Sequence, residues 1–112
     1  MRGAGVNLTP MPRARRLYGK YRATVVGVAD PLMLGRVQVE CPVIGPVQVW
    51  AVACLPWFGD AGVLALPAPG QPVWVEFEGG DPALPIWSGG RIEAPVVTAP
   101  GSMTIAAAGA QI

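Results

Sequence analysis

Arg36-Val37-Gln38-Val39-Glu40-Cys41 alternates without a break. In a strand successive side chains point to opposite faces, so Val37, Val39 and Cys41 share one face and Arg36, Gln38 and Glu40 the other. An apolar face backed by a polar one predicts a half-buried antiparallel strand. Upstream, Tyr21 to Ala29 (YRATVVGVA) is β-branched and lacks helical spacing, which predicts a long first strand with Gly27 as a bend or bulge. Asp30-Pro31 opens the loop between these strands and Gly35 closes it.

Downstream, Pro42 to Pro46 is a turn, and Val47 to Cys54 (VQVWAVAC) is a third strand, apolar on both faces. Pro56 to Gly62 is a loop carrying Trp57, Phe58 and Asp60. A short run, Val63 to Leu66, is stopped by Pro67, Pro69, Gly70 and Pro72. Alternation returns at Val73 to Glu78, with Val73, Val75 and Phe77 against Trp74, Glu76 and Glu78. The turn Gly79-Gly80-Asp81-Pro82 follows, where glycine supplies backbone angles that other residues resist. Pro85 to Ser88 (PIWS) is a last short strand, ended by Gly89-Gly90. No stretch of ten residues shows helical spacing with caps. Five or six short strands between Gly/Pro turns predict an all-β chain, at this length a small barrel of the OB type.

Three segments follow from this reading. Residues 1–17 lack any period and read as an extended arm, 18–92 form the barrel, and 93–112 form a C-terminal strand segment. In that last segment Met103, Ile105, Ala107 and Gly109 alternate with Thr104, Ala106 and Ala108. Small uncharged residues suit a strand lying close to copies of itself, or equally a frayed tail; alone they cannot form a core.

The chain has 112 residues, enough for one domain. Only 13% are charged and 52% are hydrophobic, against about 25% charged in ordinary soluble proteins. A small barrel cannot hide that apolar excess in one copy, so assembly with itself or a partner is expected. The longest charge-free stretches, Cys41–Gly59 and Ala94–Ile112, are broken by prolines and do not read as membrane spans. Met1 to Pro12 lacks the apolar core of a signal peptide, so synthesis and folding in a cytoplasm are expected.

Net charge is +1, which sets up no global field for nucleic acid. Arg13, Arg15, Arg16, Lys20 and Arg22 nevertheless cluster near the N-terminus, either as a solvated tail or as a docking point for an acidic surface. The aromatic residues Trp50, Trp57, Phe58, Trp74, Phe77 and Trp87 lie in sequence regions almost without Lys or Arg. Single-strand binding needs the two interleaved, so nucleic acid is not the expected partner, and the tryptophans read as core or interface anchors. Cys41 and Cys54 match no metal spacing and are expected as buried thiols, without a disulfide.

Catalytic chemistry finds no constellation. There is no histidine, Lys20 is the only lysine, and Ser88 and Ser102 are the only serines. Glu76 and Glu78 fall on one strand face, where a solvated surface is the simpler reading than a cation site. Asp30, Asp60 and Asp81 stand beside Pro or Gly, as turn residues do. No catalytic residue, cofactor site or metal site is expected, and the chain reads as a structural protein rather than an enzyme.

Two ordered blocks resemble a known family. Tyr18-Gly19-Lys20-Tyr21-Arg22-Ala23-Thr24-Val25 leads to Ala29-Asp30-Pro31 and Leu34-Gly35-Arg36-Val37-Gln38-Val39. Then come Pro67, Gly70, Val73 to Pro82, and Pro85-Ile86-Trp87-Ser88-Gly89. Over residues 18–92 this is similar to the OB domain of the baseplate assembly protein V family and VgrG-type spikes of contractile injection machines. The resemblance implies a homotrimer on the tail axis, below the hub protein, in a virion tail baseplate or injection particle that penetrates a cell envelope. It further implies Arg13, Arg15 and Arg16 toward the hub, an axial strand from Met103, Ile105, Ala107 and Gly109, and a possible PAAR-like tip protein below. A lysozyme or effector domain, carried by larger relatives, is missing here, so a minimal spike or hub-to-tip adaptor is implied. The alternative is a monomeric OB adaptor for single-stranded nucleic acid or one protein partner.

Overall fold

A computed structural model describes residues 15–95 and 99–104. It contains five strands: β1 (Tyr21–Gly27), β2 (Val37–Glu40), β3 (Gln48–Ala53), β4 (Pro72–Phe77) and β5 (Pro85–Gly90). Single 3-10 turns, Pro42–Ile44 and Glu78–Gly80, bridge β2 to β3 and β4 to β5. The strands close into a barrel in the order β1-β2-β3-β5-β4, with β4 paired back to β1. Only the β3–β5 pair is parallel. This is an all-β, OB-type closed barrel.

Alternation fixes the interior. Val37, Val39 and Cys41 from one side of the barrel and Val73 and Val75 from the other are almost completely buried. Each buried valine contributes roughly 1.5–3 kcal/mol of transfer free energy relative to exposure. Small β-branched residues dominate because five strands leave a narrow lumen that side chains must fill. Ala23, Val25, Ala51, Phe77 and Trp87 complete the core. Leu17, upstream of β1, closes one end of it, and its N–H donates to the Gly80 carbonyl at 2.8 Å.

Strand β1 bulges where its pairing with β2 shifts between Val25 and Gly27. A Cβ at Gly27 would lie 3.1 Å from the Gln38 Oε1, the far end of a side chain that can turn aside. The expected bulge at this glycine is present, although the strand stops at Gly27 rather than Ala29.

Of the five or six strands expected, five are present: the short run Val63 to Leu66 forms none and stays exposed in the β3–β4 connection. Three local expectations need correction. The strand starting at Pro85 runs through Gly89-Gly90, because Gly90 pairs with Val73. Strand β3 is apolar on both faces in sequence, yet Ala51 alone is fully buried and Val52 is 47% exposed. Cys54 is exposed, whereas Cys41 is buried; it falls one position past β3, where the chain leaves the barrel wall. Both thiols are free. No helix among the described residues is long and apolar enough to cross a membrane.

Candidate assembly surfaces

The β1–β2 loop is organised by one side chain. Asp30 accepts backbone N–H bonds from Leu32, Leu34 and Arg36 at 2.9, 2.9 and 3.2 Å. The Arg36 guanidinium adds a fork, with Nη2 to Oδ1 at 2.8 Å and Nε to Oδ2 at 3.1 Å. The Asp30 side chain is only 4% exposed. The guanidinium holds this carboxyl far below the usual range, with the backbone donors helping and desolvation opposing. Asp30 was legible as a turn residue; its ion pair with Arg36 was not.

The four tryptophans occupy different surroundings. Trp87 is buried, and its Nε1–H donates to the Gly35 carbonyl at 3.2 Å, tying β5 to the end of the β1–β2 loop. Trp50 is half-buried beneath Arg36, whose Cζ lies 5.1 Å from the ring centroid. Trp74 is half-buried with Arg22 at 5.9 Å and Arg91 at 5.5 Å from its ring. Trp57 stands 67% exposed beside Phe58. Three arginines therefore reach aromatic rings that are remote from them in sequence. The cause is register: Arg22 is the cross-strand partner of Trp74 between β1 and β4. A ring already stacked on a guanidinium of its own chain is a poorer platform for a base.

Arg91 marks where the chain leaves the barrel. Its Nη1 donates to the carbonyls of Ala23 in β1 and Val73 in β4, and its Nε and Nη2 reach Glu93 at 3.2 and 3.1 Å. The guanidinium thus fastens the exit point to the seam that closes the barrel. Beyond it Ile92, Glu93 and Met103 are exposed. Ile105, Ala107 and Gly109 lie outside the described residues, as does Arg13; Arg15 and Arg16 are exposed.

In the turn between β4 and β5, Gly79 and Gly80 have φ of 59° and 79°, the left-handed region in which a side chain is strained. Asp81 accepts the Ala83 N–H at 2.9 Å and Pro82 is half-buried. The two carboxylates near this turn do not act together. Glu76 pairs with Lys20 at 3.0 Å, which with Ser88 lowers its pKa, while Glu78 lies past the strand end in the 3-10 turn. No group of three or more metal-ligating side chains occurs among the described residues.

Several exposed apolar residues collect on two loops. Leu32, Met33 and Leu34 crown the β1–β2 loop, and Trp57, Phe58, Val63 and Leu64 line the β3–β4 connection. Between them lies a hollow of about 240 Å³ bordered by Met33, Leu34, Gly35, Leu55, Phe58 and Leu64. Sequence reasoning singles out Trp57 and Phe58 but assigns no surface role to Leu32, Met33 and Leu34. Their only signal was three large apolar residues in a row after Asp-Pro.

The model of a protein family described as the type VI secretion system/phage-baseplate injector OB domain matches residues 21–91. None of the curated proteins matches the chain.

Proposed function

This chain belongs to the type VI secretion system/phage-baseplate injector OB domain family, and from that premise we propose that it is the central spike, or hub-to-tip adaptor, of a contractile injection machine. The family is structural, and its members are baseplate components of phage or secretion injectors. In our reading three copies surround the tail axis, made in the cytoplasm and assembled beneath the hub protein. The barrel spans residues 18–92, the arm 1–17 leads up to the hub through Arg13, Arg15 and Arg16, and residues 93–112 continue downward. Met103, Ile105, Ala107 and Gly109 form the axial strand, and a PAAR-like tip protein closes the assembly below. Trp50, Trp57, Trp74 and Trp87 act as core or interface anchors, and Gly79-Gly80-Asp81-Pro82 as a structural turn.

The observation that carries this reading is the family match over the whole closed barrel. Two features support it. The arm and the tail leave the barrel from anchored points, at Leu17–Gly80 and at Arg91. The tail residues described beyond Glu93 are exposed, as expected of a segment that needs a partner to cover it.

Light scattering on the full chain and on a version ending at Glu93, which keeps the Arg91–Glu93 contact, tests the assembly. A trimer that weakens on truncation is expected. A monomer in both cases would instead favour the OB adaptor, and oligonucleotide binding with its salt dependence would be measured next.

A further inference from the structure

We propose that copies of this chain meet through the apolar face formed by the β1–β2 loop and the β3–β4 connection, with Met33 of one copy entering the hollow of its neighbour. The proposal rests on the self-assembly reading above and names the surface that reading leaves open.

Rigidity is the first argument. The Asp30 carboxylate ties down the backbone N–H groups of Leu32, Leu34 and Arg36, so the loop between them is braced rather than loose. Arg36 in turn lies against Trp50. On this braced loop Met33 adopts φ 53°, and it is the only non-glycine residue with positive φ among those described. A left-handed conformation is unfavourable for such a side chain and persists only where its surroundings impose it. Here the result is a methionine 89% exposed, held away from its own core. Holding an apolar side chain outward gives an isolated copy nothing, but it pre-organises a contact.

Area is the second. Leu32, Met33, Leu34, Trp57 and Phe58 are each at least 60% exposed. Taking aromatic rings at the 150–250 Å² they bury, these five present on the order of 700 Å². A monomer's largest apolar patch is typically about 300–600 Å², and a standard interface takes roughly 800 Å² from each partner. Aromatic and methionine side chains with few charges are the composition of an interface centre.

The choice of occupant follows from shape and charge. The face carries both a knob, Met33, and beside it a hollow that Met33 itself borders with Leu34, Leu55, Phe58 and Leu64, so it offers what its own copy needs. Asp60 is the only charged residue between Cys41 and Val75. A neutral face has no sign for an oppositely charged partner to complement. Insertion into a bilayer would have to take Asp60 with it, because that residue lies between Phe58 and Val63 in the same loop; a neighbouring copy can leave it at the rim.

The test is the solution mass of the full chain beside full-length Met33→Glu, Leu64→Glu and Ile105→Glu, each checked by circular dichroism. Met33 is almost fully solvated and Leu64 is substantially exposed, so these substitutions should leave the barrel folded. Burying an unpaired carboxylate should weaken association at least about tenfold, so Met33→Glu and Leu64→Glu should fall toward the single-chain mass. If both keep the parent mass while Ile105→Glu dissociates, the face is not the contact and the axial-tail reading stands alone. If the parent itself is monomeric at high concentration, this proposal and the self-assembly reading both fail. A monomeric parent that floats with phosphatidylcholine vesicles, but not as Met33→Glu, would overturn the proposal by giving the face to a bilayer.

Discussion

Arg36 and Asp30, six residues apart, close the β1–β2 loop into a ring: the guanidinium forks onto both carboxylate oxygens at 2.8 and 3.1 Å. The carboxylate simultaneously caps three backbone N–H groups. A carboxylate with five donors is stabilised in its charged form, and its folded pKa is depressed chiefly by Arg36.

That depression sets the sign of a pH dependence. An aspartate with a lowered folded pKa contributes stability in full above its unfolded pKa of about 3.9. The contribution drains away as pH falls from there toward the folded value. Asp30→Asn should therefore melt below the parent at pH 7, with the gap narrowing between about pH 4 and pH 2. Thermal melts across that range read it directly. Asp60→Asn, at an exposed loop position, serves as the comparison for removal of one carboxylate charge. A gap for Asp30→Asn that stays constant down to pH 2 would contradict the assignment.

Two adjacent glycines in the Glu78–Gly80 turn differ in how much side chain they tolerate. A Cβ at Gly80 would sit 2.7 Å from Cε1 of Tyr18, whereas one at Gly79 would meet nothing within 4 Å. Both glycines have positive φ. Gly79→Ala should thus cost only the backbone strain of an alanine there, about 1 kcal/mol. Gly80→Ala should cost more, roughly 2–3 kcal/mol, because the Tyr18 ring must also move. Urea denaturation of both variants gives the difference. Since Leu17 donates to the Gly80 carbonyl, its amide should also exchange faster in Gly80→Ala than in Gly79→Ala. Equal costs and equal exchange would show that Tyr18 does not rest on this glycine.

What the sequence revealed and what it hid divide along the same physical line. Alternation at Val37, Val39 and Cys41, and again at Val73, Val75 and Phe77, is local, and these residues line the barrel. The Gly27 bulge is also a local signal. The contacts that shape the surfaces are not. Arg22 meets Trp74 only because β1 and β4 pair across about fifty residues of chain, and Tyr18 meets Gly80 only once β4 has turned. Val63 to Leu66 left the strand number open at five or six because propensity speaks for a segment alone, whereas pairing depends on whether an edge remains free. The family, read as a resemblance from two ordered blocks, is the one whose model matches residues 21–91.

The two cysteines provide a chemical readout of the same boundary between wall and loop. Cys41 is fully buried, its Sγ lies 3.4 Å from the Arg22 carbonyl, and burial pushes its thiol pKa up. The thiolate is the reactive form, so Cys41 is doubly protected, by access and by charge. Cys54 sits on the exposed side of the β3 end, where its backbone N–H donates to the Trp87 carbonyl at 3.0 Å. A disulfide reagent added to dilute native protein should therefore modify one thiol per chain quickly. The second should follow at least about a hundredfold more slowly, at the rate of global opening. Cys54→Ser should abolish the fast phase and leave the slow one, and denaturant should make both thiols of the parent react together. Two fast phases in the native protein would mean that the β2 end of the barrel opens far more readily than a sealed wall allows.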